Sequence, residues 1–262
     1  MLLSARMPIT LSVADKVVLI TGGSRGIGAA CVRAFIEAGA RVAFNYRQAR
    51  VQAEKLAQEC GAERCLALKA ELSDLNSAGE LIAAVVHHFG RLDALVVNHA
   101  IWPSDDMPVD EMTDAQWRRT MAVNLDSAFA VVKHAVAQMK SQKAGGHVVL
   151  ISSTSGQRGE AGHCDYSASK GALISVTKSL GVELAPFGIY VNCVAPGWVA
   201  TDMAAPSLDD PRLRSKVLQT IPLGRVATPE EIAAPVLFLC TPLAGFMTGE
   251  IVNVNGGAVL VG

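Results

Sequence analysis

Val17-Val18-Leu19-Ile20-Thr21 runs without a break into Gly22-Gly23-Ser24-Arg25-Gly26-Ile27-Gly28, and a helical pattern opens near Ile27. A strand, a glycine-rich turn and a helix start bring several backbone N–H groups around one point. The positive end of the helix dipole lies there too, so the point attracts an anion. Glycine lets a phosphate approach the chain closely, which suits a dinucleotide pyrophosphate. The spacing Gly-x₃-Gly-x-Gly is not the more general GxGxxG, and alone it would also serve a plain strand-to-helix turn. Its place in the first strand–helix unit favours the anion site.

Outward from this turn, short β-branched runs alternate with helical patterns to the end of the chain. The strand candidates are Val17–Thr21, Arg41–Tyr46, Cys65–Lys69, Ala94–Asn98, His147–Ser152, Tyr190–Ala195 and Ile251–Val254. Between them apolar residues recur three and four apart, as in Leu81, Val85 and Phe89, or Leu173, Val176, Leu180 and Leu184. Continuously apolar strands joined by helices predict an α/β fold: one doubly wound parallel sheet of about seven strands with helices on both faces. Gly39 fits a helix C-terminal stop. Thr228-Pro229-Glu230-Glu231 carries a cap hydroxyl, a proline at the first helical position and a glutamate at the third. Residues 13–262 read as one domain behind a flexible tail, 1–12, in which Met7 is an alternative start. The weakly patterned stretch 201–224 interrupts the alternation and is the candidate substrate lid.

Composition narrows the function classes. Half of the 262 residues are apolar, enough for one continuous core, and 23 basic against 24 acidic residues leave a net charge of −1. No basic field points to nucleic acid or an acidic membrane as partner. The six cysteines (Cys31, Cys60, Cys65, Cys164, Cys193, Cys240) show neither a CxxC pair nor zinc-like spacing with histidine, and read as reduced core thiols with no metal. Neither a secretory leader nor a run of about 18 apolar residues is present, so a cytoplasmic location is expected.

Two further patches carry chemistry. About twenty residues beyond the turn, where an NAD site offers the ribose a carboxylate, there is no Asp or Glu between Ala40 and Ala53. Arg47, with Arg25 in the turn, suits a 2′-phosphate through forked, charge-assisted hydrogen bonds, and otherwise reads as a solvated surface charge. In Tyr166-Ser167-Ala168-Ser169-Lys170, Tyr and Lys at i and i+4 share one helix face. A nearby ammonium favours phenolate and moves a phenol toward working pH. Ser153 stands thirteen residues upstream of Tyr166, at the sheet edge to which the glycine turn also points. Asn124 follows the helical segment Asp114–Val123 and suits either a structural or a catalytic amide.

Together, Thr21-Gly22-x₃-Gly26-Ile27-Gly28, Asn124, Ser153, Tyr166-x₃-Lys170 and Pro196-Gly197 followed by Thr201 resemble the short-chain dehydrogenase/reductase family, from about Lys16 to the end. The closing Gly249-Glu250-Ile251-Val252-Asn253-Val254-Asn255-Gly256-Gly257 resembles its 3-oxoacyl-[acyl-carrier-protein] reductase branch. The resemblance implies a Rossmann-type catalytic domain that passes a hydride between NADP(H) and a ketone or secondary alcohol, with NAD(H) as the other cofactor. It makes Tyr166 the general acid–base and Lys170 its tuner and a ribose ligand. Ser153 would orient the substrate oxygen, and Asn124 would anchor a proton-relay water. Cofactor contacts are implied for Gly22, Ser24, Arg25, Gly26, Ile27, Gly28, Arg47, Glu71, Leu72, Asn98, Ala100, Tyr166, Lys170, Pro196, Gly197, Val199 and Thr201. A homotetramer is implied as well.

The chain departs from the family in two places. The usual Asn-Asn-Ala-Gly reads Asn98-His99-Ala100-Ile101, and Glu71 replaces the Asp expected near the adenine. His99 reads as a hydrogen-bonded loop histidine rather than a catalytic one. The substrate expected from the branch is a 3-oxoacyl thioester, held by an acyl-carrier protein that Arg158 or Arg212 would meet at the mouth. The alternatives are a sugar, polyol, steroid or other small secondary alcohol, and, outside the enzymes, a catalytically silent cofactor-binding regulator.

Overall fold

The computed structural model describes residues 11–103 and 105–261. Strand β1 (Val17–Ile20) leads through the glycine turn into helix α1 (Gly26–Glu37), then β2 (Arg41–Tyr46), α2 (Arg50–Glu59), β3 (Cys65–Lys69) and α3 (Leu75–Phe89). The second half continues with β4 (Ala94–Val97), α4 (Asp114–Met121), a π-helical turn (Ala122–Asp126), α5 (Ser127–Gln142) and β5 (Gly146–Ile151). After it come α6 (Thr154–Arg158), α7 (Cys164–Leu184), β6 (Ile189–Pro196), α8 (Ala205–Asp209), α9 (Pro211–Gln219), α10 (Pro229–Leu239) and β7 (Ile251–Val254).

All seven expected strands are present, displaced by no more than two residues at any end, in one parallel sheet ordered β3-β2-β1-β4-β5-β6-β7. The order reverses between β1 and β4. Connections from these two neighbours leave in opposite directions and open a crevice at the strand C-termini, where ligands bind in such sheets. The five inner strands bury both faces, while the edge strands β3 and β7 are only partly covered. Val18 and Ile20 of β1 pack under α1, α2 and α10, while Val17 and Leu19 pack under α3, α5 and α7. That explains why the strands are apolar throughout rather than alternating.

Local chemistry sets the helix ends. Asp74, Thr113 and Asp210 cap α3, α4 and α9, and Thr228 forms the expected capping box with Glu231. The expected lid is more regular than its pattern suggested, because α8 and α9 fill most of it. Leu11 already packs against the core, so the expected tail is anchored by its eleventh residue; residues 1–10 lie outside the described part. Five of the six cysteines are buried and none is paired. Among the described residues no helix is long and apolar enough to cross a membrane.

Candidate active site

The crevice is a cavity of about 810 Å³, within the usual range for cofactor and substrate sites. At its phosphate end α1 begins at Gly26 with Arg25 extended before it, and no side chain caps the first turn. The first N–H groups of the helix therefore remain as donors. Gly22 and Gly26 hold φ of +64° and +53°, which side-chain-bearing residues rarely adopt. A Cβ on Gly26 would come within 3.2 Å of Thr201 Cγ2. Gly28 acts differently: it does not line the cavity, and a Cβ there would lie 2.2 Å from the Gly22 carbonyl oxygen. Its expected cofactor contact becomes a packing role that lets helix and turn close together. The donor set and the small residues around it fit a dinucleotide pyrophosphate.

At the end of β2, Arg47 and Arg25 line the cavity, and each approaches a carboxylate: Arg47 is 3.5 Å from Glu71, and Arg25 is 3.4 Å from Asp202. Both pairs are solvent-exposed, so an incoming phosphate competes with contacts that hold the arginines weakly. Asn45, next to them in sequence, is committed to the fold. Its Oδ1 accepts from Gly22 N–H at 2.9 Å and its Nδ2 donates to Ala70 O at 3.1 Å. Ser24, Ile27, Leu72, Asn98, Ala100, Pro196, Gly197, Val199 and Thr201 all line the cavity.

Ser153 ends the β5 edge and caps α6, its Oγ accepting from Ser155 N–H at 3.1 Å. It lines the same cavity as Tyr166 and lies close enough to favour the ionised form of the Tyr166 phenol. Lys170 stands one turn along α7 on the same side, its Nζ 5.8 Å from the Tyr166 ring centre and donating to Ile151 O at 2.7 Å. Burial pushes the Tyr166 phenol up to about 12, Ser153 pulls it down, and the Glu160 charge adds to the rise. Burial likewise pushes Lys170 down to about 8. The expected lowering of Tyr166 by Lys170 is not among these influences; Ser153 alone acts in that direction, and removing the phenol from water disfavours its anion. A neutral phenol at neutral pH suits the acid role.

Asn124 is buried in the π-helical turn and lies outside the cavity wall. Its amide clamps the backbone of Ile101 from both sides, accepting from the N–H at 2.8 Å and donating to the carbonyl at 2.9 Å. It also donates to Ser169 Oγ at 3.1 Å, whose hydroxyl donates to Tyr166 O. The turn's widened hydrogen-bond pattern presents the amide to both segments at once.

His99 forms a half-buried lock. Thr21 Oγ1 accepts from the N–H groups of Asn98 and His99, and its own hydrogen has two acceptors in reach, Val96 O at 3.3 Å and His99 Nδ1 at 2.7 Å. Ser127 donates to Val123 O and therefore accepts from His99 Nε2–H at 2.6 Å. Burial, with the Lys170 charge adding, pushes His99 down to about 3 and keeps it neutral. Sequence reasoning missed several contributors. Asp165, fully buried, accepts from Tyr166 N–H and Thr120 Oγ1 and fixes the start of α7. Glu160 lines the cavity, and His163 stacks on Trp102 at its wall. No spacing signal marks Asp165 and His163, because Thr120 and Pro103, which they meet, lie 45 and 60 positions away.

The family model described as enoyl-(acyl carrier protein) reductase matches residues 22–259. L-rhamnose 1-dehydrogenase (NAD(P)(+)) of Azotobacter vinelandii is 37% identical, covering 93% of this chain and 96% of that protein. An acetoacetyl-CoA reductase of Synechocystis is 38% identical over 95% and 98% of the two chains. A 3-oxoacyl-[acyl-carrier-protein] reductase from the same organism is 36% identical over 94% and 97%. The crystal structure of a Brucella melitensis short-chain dehydrogenase/reductase, described as glucose/ribitol dehydrogenase, superposes with a TM-score of 0.89 at 32% identity, covering 97% of this chain and all of the other. The chain therefore belongs to the short-chain dehydrogenase/reductase family, oxidoreductases that act on alcohol and ketone carbons with a NAD(P) cofactor.

Proposed function

We propose that this protein is an NADP(H)-dependent oxidoreductase of a ketone or secondary alcohol, with Tyr166 as proton donor in reduction and acceptor in oxidation. The observation that carries this reading is the convergence of Ser153, Tyr166 and Lys170 on the same cavity as the uncapped glycine turn. The chemistry a nicotinamide cofactor supplies is hydride transfer at carbon. In reduction Tyr166 gives its proton to the substrate oxygen, Ser153 donates to that oxygen and steadies its developing charge, and Lys170 would hold the cofactor ribose. Gly22, Gly26 and Ile27 would hold the pyrophosphate; Arg47 and Arg25 favour a 2′-phosphate, with NAD(H) the weaker alternative. Asn124 works through its grip on Ile101 and Ser169 as a positioning residue. Residues of 201–224, including Met203, Lys216 and Val217, face the cavity and form its lid.

The branch resemblance supports a 3-oxoacyl thioester as substrate, and Arg158, which lines the mouth, would meet an acyl-carrier protein; Arg212 is not part of the lining. A second reading, a sugar or polyol, is favoured by the lining itself, where Glu160 and two tryptophans stand. The proposed enzyme is a cytoplasmic homotetramer. NADPH absorbance decay with a ketone panel tests the chemistry. Tyr166→Phe is expected to lose on the order of 10²–10⁴-fold in rate while still binding NADPH. Equal turnover by the variant refutes the role of Tyr166. Cofactor binding with no turnover of any ketone by the wild type favours a silent regulator.

A further inference from the structure

Trp102 and Trp198 meet at the substrate side of the cavity, their ring centres 6.0 Å apart and their planes at 86°. Both are anchored through the backbone. Ile101, before Trp102, is clamped by Asn124, and Pro103, after it, accepts from His163 Nε2–H at 2.8 Å. The His163 ring backs Trp102, stacked at 4.9 Å with planes 13° apart. Trp198 follows Gly197, whose N–H donates to Val254 O at 3.0 Å, and its own carbonyl accepts from Ala227 N–H at 2.9 Å. Two rigid apolar walls at a right angle are thus fixed before any substrate arrives, which lowers the ordering cost of binding.

The same cavity carries a carboxylate close enough to Tyr166 for its charge to act on the phenol. Glu160 lines the same cavity and accepts from Ser155 Oγ at 2.5 Å, leaving further carboxylate lone pairs toward the space. A carboxylate only accepts hydrogen bonds. A 3-oxoacyl thioester offers carbonyl acceptors next to its reacting carbon and no hydroxyl donor there, so beside it Glu160 would keep only its Ser155 hydrogen bond and gain none from the substrate. A saturated ring bearing hydroxyls answers both features: its C–H face lies on an indole, and its rim donates to the carboxylate.

Resting on the oxidoreductase reading above, we propose that Trp102, Trp198 and Glu160 form a specificity corner for a cyclic polyhydroxyl substrate of pyranose type. A secondary or lactol hydroxyl of the ring is presented to Ser153 and Tyr166. The ring C–H bond under attack gives its hydride to the oxidised cofactor and the hydroxyl gives its proton to Tyr166 in its phenolate form, so the ring leaves as ketone or lactone, and the oxidation is expected to speed up as the pH rises and that form is enriched. The aromatic pair and the acid act on binding, Tyr166 on chemistry.

The test measures NADP⁺ reduction with a panel of aldopyranoses and with the open-chain alditols of equal carbon number, and NADPH oxidation with acetoacetyl-CoA. The best pyranose is expected to exceed the alditols and the thioester at least tenfold in kcat/KM. Trp102→Ala and Trp198→Ala are each expected to raise its KM fivefold or more, with Trp102→Phe recovering most of the loss. Glu160→Gln is expected to raise the same KM while improving the thioester relative to the pyranose. NADPH titration of each variant reports whether its fold survives, and Trp198→Phe replaces any variant that does not bind. Higher kcat/KM for the thioester or an alditol overturns the corner, as does an unchanged KM in alanine variants that bind NADPH. Turnover of acetoacetyl-CoA without any pyranose overturns it and leaves the oxidoreductase reading standing. No turnover of any probe overturns both.

Discussion

Single side chains at this site are governed by how much water they lose. Tyr166 is buried and His99 is half-buried with both ring nitrogens hydrogen-bonded, and both are driven toward their neutral forms: the phenol up to about 12 and the imidazole down to about 3. His99 has a measurable consequence. Its folded value lies below the ordinary 6.5, so between these pH values the unfolded chain binds a proton that the folded chain refuses. Its contribution is therefore complete above about pH 6.5 and is lost as the pH falls toward about 3. Thermal melts across this window are expected to show a falling Tm, and His99→Gln is expected to flatten part of the fall. An identical acid limb in the variant would remove His99 as the cause. Arg47 makes a different kind of case, since its guanidinium is exposed and its Glu71 contact is 3.5 Å long. Arg47→Asp is expected to weaken NADPH by about tenfold or more, the scale of one or two charged hydrogen bonds, and to leave NADH little changed. Equal weakening of the two cofactors, measured by fluorescence titration, would rule out the phosphate clamp.

At the scale of elements, the turn between β1 and α1 is the tightest joint in the site. Gly28 sits in the first turn of α1 with the Gly22 carbonyl and the Asn98 amide where a Cβ would go. The Gly22 carbonyl is main chain and Asn98 Nδ2 already donates to the carbonyls of Thr21 and Gly22, so neither yields easily. Gly28→Ala is expected to cost about 1–3 kcal/mol, the usual range for overpacking, and to weaken NADPH binding by moving the helix N-terminus. An unchanged Tm with unchanged NADPH affinity would show that the joint has slack. The β4-to-α4 connection is held in the same manner from α7 and the π-helical turn, through His163 and Asn124. A substitution in either helix is thereby felt at the cavity wall.

For the whole molecule, the sheet order decides where chemistry takes place, and the surface bears on assembly. Phe129 on α5 is 62% exposed, and Val182 on α7 is 80% exposed. Large apolar side chains on neighbouring helices of one layer are costly to leave in water. Light scattering is expected to give a mass near four times the 27.5 kDa chain, and Phe129→Asp a smaller species. A monomer in the wild type would contradict the tetramer.

Sequence and tertiary structure decided different parts of this protein. Periodicity and spacing are local properties, so the strand–helix alternation, the glycine turn and the shared face of Tyr166 and Lys170 were all legible in the chain itself. Helices α8 and α9 escaped that reading because short amphipathic segments leave little periodic signal. The packing of Gly28, the place of Asn124 behind the wall, the high phenol value and the Trp102–Trp198 corner belong to the fold alone. Each depends on groups brought together across the sheet, such as His99 with Thr21, 78 positions apart. Burial is likewise a property of the assembled core. Spacing along a chain specifies which residues share a face, but only the packed structure specifies what meets that face and how much water is left there.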